Sequence, residues 1–407
     1  MSEKYISAKE AAARLNIAEA TLYSYVSRGL IRSEAVAARS RQRRYLAEDV
    51  DRLVERKAGR RNPEKSARDA ARRALQWGAP VLESRLTLIL DERLYYRGAD
   101  AAELARTISF EECAALLWTG DLRAAARLFN QTESLNWEAD DQLSTFARLT
   151  ISLTLAAERD LRALDFNADR LAFTGARILL LLARTLSPIH VDSIAYRLAR
   201  GWNPDWDDEA AVQAAHLINA ALILCADHEL NPSSFAARVV AATQATLYGV
   251  VSAGLAALQG IKHGGNTRLA VAFLKEVEAN GSALAVIRER RQRGERIPGF
   301  GHVLYREHGD PRAAALLRLL RETYPDHPYL SVIEATVTAA RSSIDRAPNI
   351  DFALAALERL LPLPPDSGIS LFALGRTAGW IAHALEQYAD GNLIRPRAVY
   401  TGIQPEV

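Results

Sequence analysis

The chain has 407 residues, 49% of them apolar and 25% charged, with 51 Lys/Arg against 49 Asp/Glu. That length and balance allow a body with a sizeable core plus a smaller module, and they exclude a low-complexity or strongly polyionic chain. The two cysteines, Cys113 and Cys225, lie far apart in apolar surroundings, so neither a disulfide framework nor a zinc cluster is expected, and a reducing cytoplasm is the expected compartment.

Basic residues are concentrated at the N-terminal end and the remainder is mildly acidic, which points to a different kind of partner for the head. The first residues lack the apolar core of a signal peptide. The most membrane-like stretch, 211–226, is interrupted by Gln213, His216 and Asn219 and falls short of the ~20 residues that a span needs. It predicts a buried helix, with His216 a satisfied core histidine, and no membrane partner is expected.

In chain order, Ser7–Leu15 predicts a short helix, with Ser7 as cap and Glu10 three residues later. Asn16-Ile17 makes a turn, and a second helix runs from Glu19 to about Arg28, ended by Gly29. The basic run Arg39–Leu46 is short enough for a wing or hairpin, and a third helix starts near Ala47 with Val50 and Leu53 inward. This winged helix-turn-helix pattern, with Arg43-Arg44-Tyr45, Glu48-Asp49-Val50 and Leu53, resembles the MerR-like DNA-binding module. The resemblance implies that the second helix enters a major groove, placing Thr21, Tyr23, Ser24 and Arg28 near bases or phosphates. It places Arg41, Arg43 and Arg44 near phosphates, where they add affinity more than sequence discrimination.

A basic linker is expected over 59–77, carrying Arg60, Arg61, Arg68, Arg72 and Arg73, and a new unit begins near Gly78. Val81–Asp91 has the content of a hairpin. From Ala101 onward helical periodicity dominates: Phe146, Leu149 and Leu153 share a face, Ile178–Ala183 is buried on all sides, and Ser370–Tyr388 is long and periodic. The body is therefore expected to be all-α.

Polar clusters interrupt these apolar helices. They are Cys225–Asn231, His263-Gly264-Gly265, Pro298–His302 with Asp310-Pro311-Arg312, Asn349–Asp351, and a final set of Arg376, Trp380, His383, Glu386, Arg395 and Arg397. Their order, together with Tyr96-Arg97-Gly98, Phe110-Glu111-Glu112 and Leu117–Gly120, resembles the citrate synthase family over about 78–405. That resemblance implies large and small helical domains, with 1–58 as the DNA-binding-like module, 78–263 and 351–407 as the large domain and 264–350 as the small one.

It also implies condensation of acetyl-CoA with oxaloacetate and hydrolysis of the resulting thioester. A thioester methyl group is a weak carbon acid, so such a site needs a carboxylate against its proton and a donor against the nascent enol oxygen. Asp351 matches the family base, although it could also cap the helix that follows. His263 matches the donor to the thioester oxygen, and His302 the residue that polarises the ketone. His228, Arg312 and Arg376 match groups that hold the dicarboxylate, and Arg395 matches one supplied by the neighbouring subunit of a homodimer. Arg306 stands where a basic residue meets CoA phosphate. No metal and no tightly bound cofactor is expected; acetyl-CoA enters as cosubstrate.

The sequence departs from the family pattern in four places. His263 is followed by Gly-Gly-Asn-Thr-Arg, Val303 replaces the usual Arg, the interval from His302 to Arg312 is one residue longer, and Cys225 stands where His or Tyr is common. Propionyl-CoA use, as in 2-methylcitrate synthase, and a CoA- or dicarboxylate-responsive DNA-binding regulator are the alternatives.

Overall fold

The computed structural model describes residues 5–35, 43–51, 53–54, 81–130, 142–191 and 193–405. The chain divides into two units, Met1–Glu83 and Ser84–Val407. In the first, strand β1 (Tyr5–Ser7) leads into helix α1 (Ala8–Leu15), followed by α2 (Glu19–Ser27), β2 (Ser33–Ala35) and β3 (Arg43–Leu46). The strands form an antiparallel sheet in the order β1-β3-β2. Ser7 caps α1 by accepting the Glu10 amide, and Gly29 takes a positive φ just after α2, as the sequence predicts. Residues 47–51 are helical. Ile6, Ala11, Leu15, Leu22, Ile31, Tyr45 and Val50 close a small core of their own.

The second unit opens with a hairpin, β4 (Thr87–Leu90) and β5 (Arg93–Tyr96), extended by β6 (Ala99–Asp100). The pairing thus starts later than Val81 and turns at Asp91-Glu92. Helices follow: α3 (Ala101–Thr107), α4 (Phe110–Thr119), α5 (Ala124–Asn130), α6 (Thr145–Arg159), α7 (Ala168–Leu186), α8 (Ile194–Trp202), α9 (Asp208–Cys225), α10 (Pro232–Ala241), α11 (Leu247–Leu258), α12 (Gly265–Asn280), α13 (Ala283–Gln292), α14 (Pro311–Thr323), α15 (Tyr329–Ile344), α16 (Ile350–Leu360) and α17 (Ser367–Asp390). The unit is mostly helical, as expected.

Helix α17 is the axis of this unit, packed by α4, α7, α9, α10 and α11. Its sequence is apolar almost all round, which a helix tolerates only when surrounded. A side chain at Gly379 would collide with the Ala226 carbonyl, so glycine there lets α17 approach the end of α9 closely. This approach brings Arg376 beside the Cys225–Asn231 segment. A smaller apolar cluster of Phe273, Val277, Ala283, Val286, Ile287, Ala339 and Ala340 joins α12, α13 and α15.

Among the described residues no helix is long and apolar enough to cross a membrane. Residues 211–226 contribute to the buried helix α9, but His216 lies on its exposed face, not in the core. The helical period carries His216 outward while Ala214, Leu217 and Ile218 turn inward.

Candidate active site

Two helix starts converge on one carboxylate. The chain leaves α11, passes His263 and enters α12 at Gly265, where an added Cβ would lie 2.6 Å from the Gln259 carbonyl oxygen. Glycine is required for so tight an entry. Asn266 and Thr267, in the first turn of α12, donate to the two oxygens of Asp351 at 2.8 and 2.7 Å. Asp351 does not cap its helix. Asn349 is the cap of α16, accepting the Asp351 and Phe352 amides, which leaves the Asp351 carboxylate free to face α12. Burial pushes the Asp351 pKa up, opposed by those two hydrogen bonds.

His263 is held from the other side. Its Nε2 lies 2.7 Å from Ser233 Oγ, which accepts from Trp380 Nε1 at 3.1 Å and lies 2.8 Å from Asn231 Oδ1. Asn231, the cap of α10, also accepts the Ser233 and Ser234 amides on that oxygen. The single Ser233 proton has two acceptors, and its choice decides which ring nitrogen of His263 carries a proton. Burial, reinforced by Arg376 and Arg312, lowers the His263 pKa to about 3, so the ring is neutral.

A second group gathers on the segment after Gly301. His302 Nδ1 accepts the Leu304 amide at 3.2 Å, which leaves the proton of the neutral ring on Nε2. Burial, with Arg312, lowers its pKa to about 4. The ring centroids of His302 lie 5.1 Å from His228 and 4.8 Å from Tyr305, and Tyr305 Oη meets His228 Nε2 at 2.8 Å. Burial drives the His228 pKa well down, helped by Arg312.

Two buried arginines complete the site. Arg312, in the first turn of α14, grips the Asp310 carboxylate with Nε and Nη2 at 2.9 and 2.8 Å, and Asp310 also accepts the Ile350 amide that opens α16. Arg376 gives Nε to the Cys225 carbonyl at 2.7 Å, yet its Nη2 is buried with no hydrogen-bond partner among the described residues. An unmet buried donor costs on the order of 1–3 kcal/mol, more when charged, so its retention points to an anion as partner.

The structure therefore brings together His228, His263, His302, Arg312, Asp351 and Arg376. It leaves Arg306 and Arg395 outside. Arg306 is exposed and folds its Nε back onto the Val303 carbonyl, and Arg395 is exposed on the extended segment after α17. Sequence reasoning passed over Ser233 and Tyr305, whose only signal was polarity beside a motif, and met Asn266 and Thr267 only as a departure from the family string. His383 is fully buried with Nε2 3.2 Å from Asp227. His190 and His308 are exposed, and half-buried His327 accepts the Tyr329 amide. Among the described residues no cluster of three or more His, Cys, Asp or Glu is arranged to hold a metal.

In the N-terminal unit Thr21, Tyr23, Arg28 and Arg43 are exposed. Two expected contact residues are already engaged: the Ser24 hydroxyl donates to the Thr21 carbonyl at 2.8 Å, and Arg44 pairs with Glu34 at 2.6 Å across the sheet. Arg41 and the expected 59–77 linker lie outside the described residues.

Residues 74–397 match the model of the citrate synthase C-terminal domain. The chain belongs to the citrate synthase family. Residues 5–58 match a helix-turn-helix domain. Citrate synthase of Haloferax volcanii is 33% identical over 80% of this chain and 94% of its own length. A 2-methylcitrate synthase of Mycobacterium tuberculosis is 31% identical over 77% of this chain and 86% of its own. Among solved structures, Thermotoga maritima citrate synthase superimposes with a TM-score of 0.67 at 27% identity, covering 81% of this chain and 96% of that one. The Thermoplasma acidophilum citrate synthase, a ternary complex with carboxymethyl coenzyme A and oxaloacetate, gives 0.67 at 25% identity, covering 81% and 96%. Family membership makes this a citrate synthase-like enzyme, and relatives of both names leave the acyl chain to be assigned.

Proposed function

We propose that the enzyme condenses acetyl-CoA with oxaloacetate and hydrolyses the product thioester to citrate and CoA. The observation that carries this reading is the buried Asp351 carboxylate, in a site with neutral imidazoles and a buried guanidinium, Arg376, whose Nη2 has no partner among the described residues. Asp351 removes a proton from the acyl methyl group. His263 stabilises the enol oxygen, which requires the ring proton on Nδ1 and hence a Ser233 proton given to Nε2. His302 donates from Nε2 to the ketone oxygen as the carbon–carbon bond forms. Arg376, Arg312 and His228 hold the dicarboxylate; Arg312 does so from its Asp310 clamp, as a fixed donor with its orientation set in advance. Water then cleaves the thioester, releasing CoA.

One extra methylene changes binding by only ~1–3 kcal/mol, so acyl choice is settled by kinetics. Steady-state CoA release should require oxaloacetate and give a higher kcat/KM with acetyl-CoA than with propionyl-CoA. The reverse preference would reassign the enzyme as a 2-methylcitrate synthase.

Arg395 joins this reading through a homodimer. Its segment carries exposed Leu393, Val399, Tyr400 and Ile403, the apolar content of a surface that a second copy covers. Mixing folded Arg395→Ala and Asp351→Ala proteins under subunit exchange should restore part of the activity, because one site of the heterodimer then has neither defect. No recovery in verified heterodimers would place Arg395 outside the partner's site.

A further inference from the structure

The segment from His302 to Arg312 is supported from a distant part of the chain. Three consecutive amides in it, those of Arg306, Glu307 and His308, all donate to the carboxylate of Glu92. The distances are 2.6 and 2.8 Å to Oε1 and 2.6 Å to Oε2. The His308 ring adds a contact of 3.4 Å to Oε2. Glu92 sits at the tip of the β4–β5 hairpin, where both Asp91 and Glu92 adopt positive φ, +49° and +56°. Two-residue turns of that kind favour Asn or Asp followed by Gly, so a glutamate in the second position is conformationally costly. Turn propensity does not account for it, but its carboxylate contacts do.

The hairpin that carries Glu92 is itself fixed. Leu94 and Tyr96 are buried, Tyr96 Oη contacts the Ile223 and Asp227 carbonyls, and Thr87 Oγ1 donates to Asp227 at 2.5 Å. Asp227 immediately precedes His228. A rigid arm therefore runs from the backbone beside His228 to the far end of the 302–308 segment. That segment returns to His228 through Tyr305, and Leu304 orients the His302 ring.

We propose that Glu92 is a positioning residue for the dicarboxylate pocket: it clamps the 306–308 amides to the hairpin and so holds Tyr305 against His228 and His302 towards the substrate. The inference deepens the proposed condensation and rests on it. Glu92 touches no reacting atom in this scheme. The amides it binds are near the surface, where water replaces a lost acceptor, so its removal should loosen the segment and leave the fold intact.

The test uses the full-length enzyme and two readouts. In free Glu92→Ala protein, hydrogen exchange at the Arg306, Glu307 and His308 amides should accelerate, with exchange in α17 unchanged. In kinetics, KM for oxaloacetate should rise ~10-fold while kcat falls by less than ~3-fold, and Glu92→Gln, which keeps one acceptor oxygen, should fall between. Faster exchange with an unchanged oxaloacetate KM would overturn the positioning role, and a raised KM with unchanged exchange would overturn the clamp. Wild-type enzyme assayed in parallel separates this from the parent reading: no oxaloacetate-dependent CoA release there would fail the proposed function, while the exchange result would still judge the clamp.

Discussion

His263 and Asp351 stand at helix starts that support one another, whereas His302 and Tyr305 stand on an irregular segment whose outer support is a hairpin tip 214 residues before Arg306. On the first side every holding group is a side chain within a few residues of a motif: Asn266 and Thr267 follow His263, and Ser233 follows a capping Asn231. On the second side the holding groups are backbone amides meeting a distant carboxylate. The first side joins two helix starts through side chains 84 and 85 residues apart. The second is an irregular segment, and such segments are where substrate-dependent movement is concentrated.

The sharpest way to separate the two sides is Asp351→Asn, which keeps the side-chain shape but removes the proposed proton acceptor. Turnover should fall ~100-fold or more in a protein that folds normally, and CoA release in a steady-state assay reads it directly. A smaller loss, ~10-fold in kcat, is expected for Ser233→Ala, which frees His263 to place its proton on either nitrogen and leaves Trp380 Nε1 without its acceptor. The oxaloacetate KM should change little in that variant. An equal loss in oxaloacetate affinity would mean that the two sides are not independent.

The difference between the sides also explains what was legible in the sequence. His263, His302 and Asp351 were legible because each sits in a short glycine- or cap-containing string whose order matches a family, and the long α17 was legible from its periodicity. The cap of α16 stays open in sequence because two polar residues, Asn349 and Asp351, compete for that role, and only the backbone decides that Asn349 takes it. His216 was misplaced because an apolar run conceals which residue the helical turn carries outward. Glu92 had no signal, since its partners are backbone amides and any residue type supplies those. The departure at His263-Gly-Gly-Asn-Thr was visible as an oddity, yet its consequence, two donors on Asp351, needed α12 and α16 to be placed together.

The separation of chemistry from substrate holding is tested most directly by one measurement: the oxaloacetate dissociation constant of Asp351→Asn, determined by titration calorimetry against wild type. Removing a negative charge from the site cannot weaken a dianion through charge, so affinity should be equal to wild type or tighter while turnover is lost. An oxaloacetate affinity that falls in parallel with turnover would show that Asp351 holds the pocket's structure, and it would contradict its assignment as the base.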